Sequence, residues 1–240
     1  MAKIRRSLKG GAPFCSVVIA AAGSSERMDG EDKLFTMVCG APVLAYSIGA
    51  FAKSGLVNEI IVVARFDKLE QAGRLCMDYG GGKATKVITG GATRLDSVLN
   101  GVLAVSKKAK LIAVHDGARP CVPDEVVEHA ITAAASRQAV APAVKIVSTL
   151  KRAEYRKVLE TVDRDKLFEI QTPQVFISEL IKAALTNAVN KVAAVTDDCM
   201  AVELMGVPVY LTEGSRSNIK LTTTEDLVLI EAILGRRSGY

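Results

Sequence analysis

The 240-residue chain has no tryptophan, two histidines and an aromatic content of 5%. So few aromatic rings leave little to stack bases on, which argues against a single-stranded nucleic-acid binder. With His115 and His129 as the only imidazoles, a Ser-His-Asp or Cys-His relay is poorly supplied. The five cysteines (Cys15, Cys39, Cys76, Cys121 and Cys199) are odd in number, scattered, and form no C-x-x-C pair. That pattern disfavours a zinc clamp or a dithiol redox motif and suits small buried thiols in a reducing compartment. No apolar run approaches the ~20 residues that span a bilayer, and no signal-peptide stretch follows the basic start. A soluble, cytoplasmic protein without membrane contact is expected. Charge of one sign is scarce too: of the net +5, most comes from Lys3, Arg5, Arg6 and Lys9. Residues 1–14 read as a basic, flexible extension and residues 15–240 as a single domain with no basic stripe for nucleic acid.

What the chain does have is rhythm. Strand-length apolar runs ("SVVIAAA" 16–22, "EIIVVAR" 59–65, "KVIT" 86–89, "LIAVHD" 111–116, "AVAPAV" 139–144, "VPVYLT" 207–212) are spaced by helical segments beginning near Pro42, Phe66, Arg94 and Pro123. This is the pattern of βα units: an α/β, Rossmann-like fold with a mostly parallel twisted sheet flanked by helices. Gly55 and Gly80 are expected to stop helices in a left-handed conformation, and Thr222 with Glu225 to form a capping box on the last helix. Residues 145–170 break the rhythm. Their charges and the short alternation "KVLETVDR" predict a β-hairpin arm outside the sheet, half apolar, which a second subunit would cover.

In open parallel sheets ligands sit at the carboxyl ends of the strands. There the chain gathers Ala21, Ala22, Gly23, Arg27 and Lys33, then Gly91, Arg94, Asp96 and Ser97, then Asp116, Gly117 and Arg119. The first turn has neither the G-x-G-x-x-G dinucleotide pattern nor a Walker loop. Its small residues still let a backbone approach a base or ribose, and its two cations reach a polyphosphate; a plain surface loop with solvated cations is the alternative. Asp116 stands where a phosphate-bound magnesium would sit, or caps a helix; His115, by strand alternation, points the other way as a structural residue. Cations without a base suit one reaction class, in which an anionic phosphate monoester attacks another phosphate and no proton is removed.

The blocks "VVIAAAGSSERM…DK", "GGATRLDSVLNGV", "VHDGARPCV", "STLKR", "TVDRDKLFEIQTPQVF", "VTDDCMAVE" and "EGSRSNIKLTTTEDL" together resemble the 2-C-methyl-D-erythritol 4-phosphate cytidylyltransferase family, from about Ser16 to Leu234. The resemblance implies that CTP condenses with 2-C-methyl-D-erythritol 4-phosphate to CDP-methylerythritol and pyrophosphate in non-mevalonate isoprenoid synthesis. It implies that Arg27 and Lys33 stabilise charge on the α-phosphate, and that Arg164 and Lys220 position the acceptor. By the same likeness Ala21, Ala22, Gly23, Gly91 and Ser97 hold cytosine and ribose. Asp116, Gly117, Arg119, Thr149, Thr172 and Thr196 line the ribose, metal and sugar-phosphate pocket. Mg2+ is expected to bind largely through the CTP phosphates, with its protein ligands unassigned. The arm, about 145–168, is expected to be exchanged in a homodimer, bringing Thr149 and Arg164 to the neighbour's site. A surface ion pair with Asp163 or Asp165 is the other reading of Arg164. The nearest rival activity is ribitol-5-phosphate cytidylyltransferase. A nucleic-acid-binding module acting through the basic tail and a nicotinamide oxidoreductase are the alternatives from other classes.

Overall fold

Strand β1 (Cys15–Ala21) is apolar on both faces and lies in mid-sheet, between β4 and β6, in a computed structural model that describes residues 12–23 and 32–237. The chain continues through a short β2 (Met37–Val38) and β3 (Ala41–Pro42) ribbon, α1 (Val43–Lys53), β4 (Glu59–Ala64), α2 (Leu69–Tyr79) and β5 (Ala84–Thr89). Then come α3 (Arg94–Ala104), β6 (Leu111–Asp116), α4 (Asp124–Arg137) and β7 (Ala139–Lys145). A hairpin of β8 (Leu150–Glu154) and β9 (Lys157–Val162) leads into β10 (Phe168–Ile170), β11 (Gln174–Ile177), α5 (Ser178–Asn190), α6 (Asp198–Glu203), β12 (Tyr210–Glu213) and α7 (Thr224–Arg237).

The eight-stranded sheet runs β10-β7-β11-β6-β1-β4-β5, with β12 also paired to β7. β1 is parallel to both β4 and β6, β4 to β5, and β12 to β7; β10 and β11 are antiparallel to their partners. From β1 the chain steps outward to β4 and β5, then returns to the other side of β1 at β6. The strand order therefore reverses beside β1, and a crevice opens there at the strands' carboxyl ends.

Side-chain alternation builds two cores from the same strands. Val17, Ile19, Ile60 and Val62 pack under α1, α2, α4 and α7 with Leu44, Ile48 and Phe51. Val18, Ile61 and Val63 pack under α3, α5 and α6 with Val98, Val102, Ile181 and Leu185. Each fully buried side chain of this kind is worth roughly 1.5–3 kcal/mol relative to exposure, so the central strands are the stable platform on which the loops stand.

Three local expectations are corrected. Neither Gly55 nor Gly80 has a positive φ; Gly80 caps α2 at φ −79°, and the left-handed positions are Gly81 and Gly82. Gly80 is required for closeness instead, since a Cβ there would run into the Cys76 carbonyl and Ala84. At α7 the capping partner of Thr222 is Asp226 rather than Glu225: one Oδ2 accepts from the Thr222 and Thr223 amides at 2.8 Å and from the Thr222 hydroxyl at 2.6 Å. The arm region does not stay wholly outside the sheet, because β10 returns to pair with β7. The hairpin β8–β9 is a separate two-stranded ribbon, and Tyr155, Val158 and Leu159 on it are exposed.

Candidate active site

At the carboxyl ends of β1 and β6 lies a cleft of about 380 Å³. Its floor is made of small residues: Ala20 near the end of β1, Ala22 and Gly23 after it, and Gly91 with Ala92 after β5. Gly90 is fixed by crowding, as a Cβ there would collide with Ala22 and lie 2.8 Å from Ser97 Oγ. The turn is tied to α3. Ser97 Oγ accepts from the Gly91 amide at 3.0 Å and donates to the Thr93 carbonyl at 2.8 Å, while Thr93 and Asp96 form a reciprocal capping box. Helix α3 thus starts at a defined place, and its first residue, Arg94, enters the cleft wall.

Asp116, the last residue of β6, sits at the centre of the charge. Lys220 Nζ lies 2.8 Å from its Oδ2, Arg119 Nε 3.7 Å from the same oxygen and Arg94 Nη2 3.4 Å from Oδ1. Burial works against the carboxylate's charge, yet Lys220, Arg94 and Arg119 outweigh it and hold Asp116 well below the ordinary carboxylate range. Burial likewise opposes the charge on Arg94, and the carboxylates of Asp198 and Asp116 reverse that effect, keeping the guanidinium protonated. The loop carrying Lys220 is pinned from both sides: the Leu221 amide donates to the Ala118 carbonyl at 2.8 Å, and Asn218 Nδ2 to the Thr172 carbonyl at 2.8 Å.

His115 faces the opposite core, fully buried, with its ring edge-on to Phe51 at 4.7 Å. Its Nε2 lies 3.2 Å from the Arg119 carbonyl, which can only accept, so Nε2 carries the proton and Nδ1 accepts from the Thr172 hydroxyl at 2.9 Å. Burial pulls its pKa down to about 4. An imidazole so placed braces the β6 end and has no access to the cleft.

Of the residues singled out from the sequence, Ala22, Gly23, Lys33, Gly91, Ser97, Asp116 and Lys220 line this cleft. Ala21 points into the α1-side core, and Ala20, paired in register with Asp116, takes its place at the cleft. Gly117 lies behind the wall: its amide donates to the Ala20 carbonyl at 2.9 Å and its carbonyl accepts from Ser47 at 2.8 Å. Arg119 is buried, with Nη1 on the Asn218 carbonyl at 2.7 Å. Thr172 is a buried brace whose hydroxyl accepts from the Asp116 amide at 3.2 Å. Thr196 is exposed ahead of α6, and its hydroxyl lies 3.7 Å from Met200 Sδ. Thr149 and Arg164 are exposed at the root of the arm, outside the lining of the chain's own cleft. Arg164 donates to the Val147 carbonyl, and among the described residues it makes no ion pair with Asp163 or Asp165. Arg27 lies outside the described residues.

Sequence reasoning missed Asp198 and understated Arg94. Asp198 is 1% exposed and takes the Arg94 guanidinium end-on, Nη1 to Oδ1 at 3.1 Å and Nη2 to Oδ2 at 2.8 Å. The signal available was the acidic pair in "VTDDCMAVE", but nothing in the spacing links it to a residue 104 positions earlier.

Among the described residues no three carboxylates, thiols or imidazoles converge on a point that would hold a metal ion. Asp116, among the described residues the one carboxylate lining the cleft, is already shared by three cations. The described residues do not by themselves fit a protein-made cage for a divalent cation. A larger cleft of about 770 Å³ lies elsewhere, bordered by α1, α2, α4 and α7. Its Lys53 and Arg237 are matched by Asp78, Asp124 and Glu125, so it has no cationic excess, and it is not at the strand carboxyl ends. No helix among the described residues is long and apolar enough to cross a membrane.

Comparison with known proteins agrees with this geometry. The sequence profile of the 2-C-methyl-D-erythritol 4-phosphate cytidylyltransferase (IspD) family matches residues 15–236. A protein of that name from Caldanaerobacter subterraneus is 43% identical over 222 residues, covering 91% of this chain and 98% of its own. Another from Halalkalibacterium halodurans is 40% identical, covering 92% and 97%. The crystal structure of 4-diphosphocytidyl-2C-methyl-D-erythritol synthase from Anaerococcus prevotii superposes with a TM-score of 0.83 at 31% identity, over 94% of this chain and 97% of that one. The small-residue floor at β1, the cations around Asp116 and a match that runs nearly end to end place this chain in the 2-C-methyl-D-erythritol 4-phosphate cytidylyltransferase family.

Proposed function

We propose that the protein transfers the cytidylyl group of CTP to 2-C-methyl-D-erythritol 4-phosphate, giving CDP-methylerythritol and pyrophosphate in non-mevalonate isoprenoid synthesis. The observation that carries this reading is a cleft lined by the cations Lys33, Arg94 and Lys220, the last two paired to Asp116, while the nearest imidazole is turned away and buried. An oxygen of the acceptor's phosphate attacks the α-phosphorus of CTP; the bond from that phosphorus to the α–β bridging oxygen breaks, and its electron pair leaves on pyrophosphate. The nucleophile is anionic near neutral pH, so no general base is needed, and the barrier falls through positioning and neutralisation of charge.

In this reading Arg27 and Lys33 hold the triphosphate and the charge that builds at the α-phosphorus, and Lys220 orients the acceptor's phosphate. The backbone around Ala22, Gly23 and Gly91, with Ser97 behind it, receives the nucleoside. Ser97 is half spent on the Gly91 amide and Thr93 carbonyl, so its part is to shape the turn. Mg2+ travels on the CTP phosphates and supplies further positive charge there. The exposed apolar residues of the β8–β9 hairpin, Tyr155, Val158 and Leu159, favour a homodimer in which the arm covers a second copy. Thr149 and Arg164 would then serve the neighbour's cleft, consistent with their absence from their own.

Ribitol 5-phosphate as acceptor is not favoured by relatives named for methylerythritol phosphate. The test is pyrophosphate release from CTP and Mg2+ with each acceptor separately. Release with methylerythritol phosphate supports the reading, and release with ribitol 5-phosphate alone overturns it.

A further inference from the structure

We infer that Asp198 is a positioning residue for the reaction, acting through Arg94 on the arrangement of Asp116 and Lys220. The inference rests on the proposed cytidylyl transfer. Four charged groups form a chain across the cleft wall. Asp198 grips Arg94 through two bonds, Arg94 Nη2 reaches Asp116 Oδ1 at 3.4 Å, and Asp116 Oδ2 receives Lys220 Nζ at 2.8 Å. A planar guanidinium held end-on by a carboxylate has one orientation, so Asp198 decides where the remaining N–H groups of Arg94 point.

The division of oxygens matters. With Arg94 committed to Asp198, its contact with Asp116 is the longer one, and Lys220 has the closer claim on Asp116 through Oδ2. Without the Asp198 charge, Asp116 is the remaining carboxylate partner of Arg94 among the described residues, and Arg94 competes with Lys220 for it. The lysine that orients the acceptor would shift, and an error of about 1 Å in a reacting pair can cost on the order of 100-fold in rate. Asp198 is itself held independently of its carboxylate. Gln174 Oε1 accepts from the Asp198 amide at 3.1 Å and the Cys199 amide at 3.0 Å, and Asp197 caps α6 through the Met200 amide at 2.9 Å. The carboxylate is therefore available to Arg94 without being needed to start the helix.

Charge alone and positioning make opposite predictions. Asp198→Asn leaves the cluster one positive unit richer, so a purely electrostatic role for Asp198 predicts tighter CTP binding with turnover kept or raised. Positioning predicts that kcat falls by ~10- to 100-fold while KM for CTP changes by less than about threefold. Kinetics of pyrophosphate release would be measured for wild type, Asp198→Asn, Asp198→Glu, Arg94→Lys and the Asp198→Asn/Arg94→Lys double variant, each checked by circular dichroism and thermal melting. Three results are expected: loss of kcat in Asp198→Asn, recovery of most of it in Asp198→Glu, and no further loss when Asp198→Asn is added to Arg94→Lys. Wild-type kcat in Asp198→Asn, or losses that multiply in the double variant, overturns the inference. If Asp198→Asn melts far below wild type, the double-variant comparison decides at a temperature where all are folded. A wild type inactive with both acceptors would instead refute the proposed function, a separate outcome.

Discussion

Acidification from pH 7 to pH 5 is expected to weaken the fold through His115. The side chain is fully buried between Thr172 and the Arg119 carbonyl, and burial lowers its pKa from 6.5 to about 4. Below pH 6.5 the unfolded chain takes up a proton that the folded chain refuses until about pH 4, so more protons are bound in the unfolded state and stability falls as pH falls. A shift of this size corresponds to about 3 kcal/mol over the whole window, of which about 2 kcal/mol is lost by pH 5. The cause is burial, which disfavours the charged imidazolium; a second proton at Nδ1 would also cost the bond that the Thr172 hydroxyl now donates. Asp116 does not confuse the measurement, because its depressed pKa makes its contribution complete above the unfolded carboxylate value of about 4, with loss only below that. Urea unfolding of wild type and His115→Gln at pH 7, 6 and 5, at one protein concentration, reads the effect as a difference of differences, in which other groups cancel. Wild type should lose about 2 kcal/mol more than the variant between pH 7 and 5. Equal losses in the two proteins would refute the assignment of a neutral, buried imidazole.

Three further sets of outcomes are expected. Of the five thiols, only exposed Cys39 should react rapidly with a disulfide reagent at pH 7.5, since burial lifts Cys15 to about 12 and Cys76 and Cys121 to about 11; a second fast thiol in the native protein would contradict the packing. Lys33→Ala should lower turnover by orders of magnitude and Arg164→Ala chiefly acceptor use, both with melting temperatures near wild type. Heterodimers of the two variants should regain activity, because one hybrid cleft keeps both cations, and confirmed heterodimers without recovery would remove the exchanged arm.

The parts of the fold legible in the sequence were those set by local pattern. The runs ending at Asp116 and Ala64 are strands because short, mainly apolar runs rich in Ile and Val fill both faces of the sheet, and the "KVLETVDR" segment is a hairpin strand that no helical stripe could make. The antiparallel β11 and the helices α5 and α6 were less visible: "QVFI" is four residues long, and α6 is six. At the cleft, period-two alternation could have preferred Ala20 over Ala21, since Ala20 and Asp116 are register partners. No such signal exists for Asp198, Gln174 or Asn218, whose partners lie far away in the chain and meet only when the starts of α3, β11 and α6 and the segments after β10 and β12 close on one another. Thr172 was assigned to the site by the family resemblance, and Gly117 by that and by its place after β6; they support it from behind, through the Asp116 amide and the Ala20 carbonyl.

Cation-driven transfer without an imidazole is tested most directly by a crystal structure of the protein with CTP and Mg2+. The triphosphate is expected in the cleft after β1, with phosphate oxygens within hydrogen-bond distance of Lys33 and the cytosine against the Gly90–Gly91 turn. A triphosphate directed away from Lys33, Arg94 and Lys220, toward solvent or the larger cleft beside α1, would contradict it.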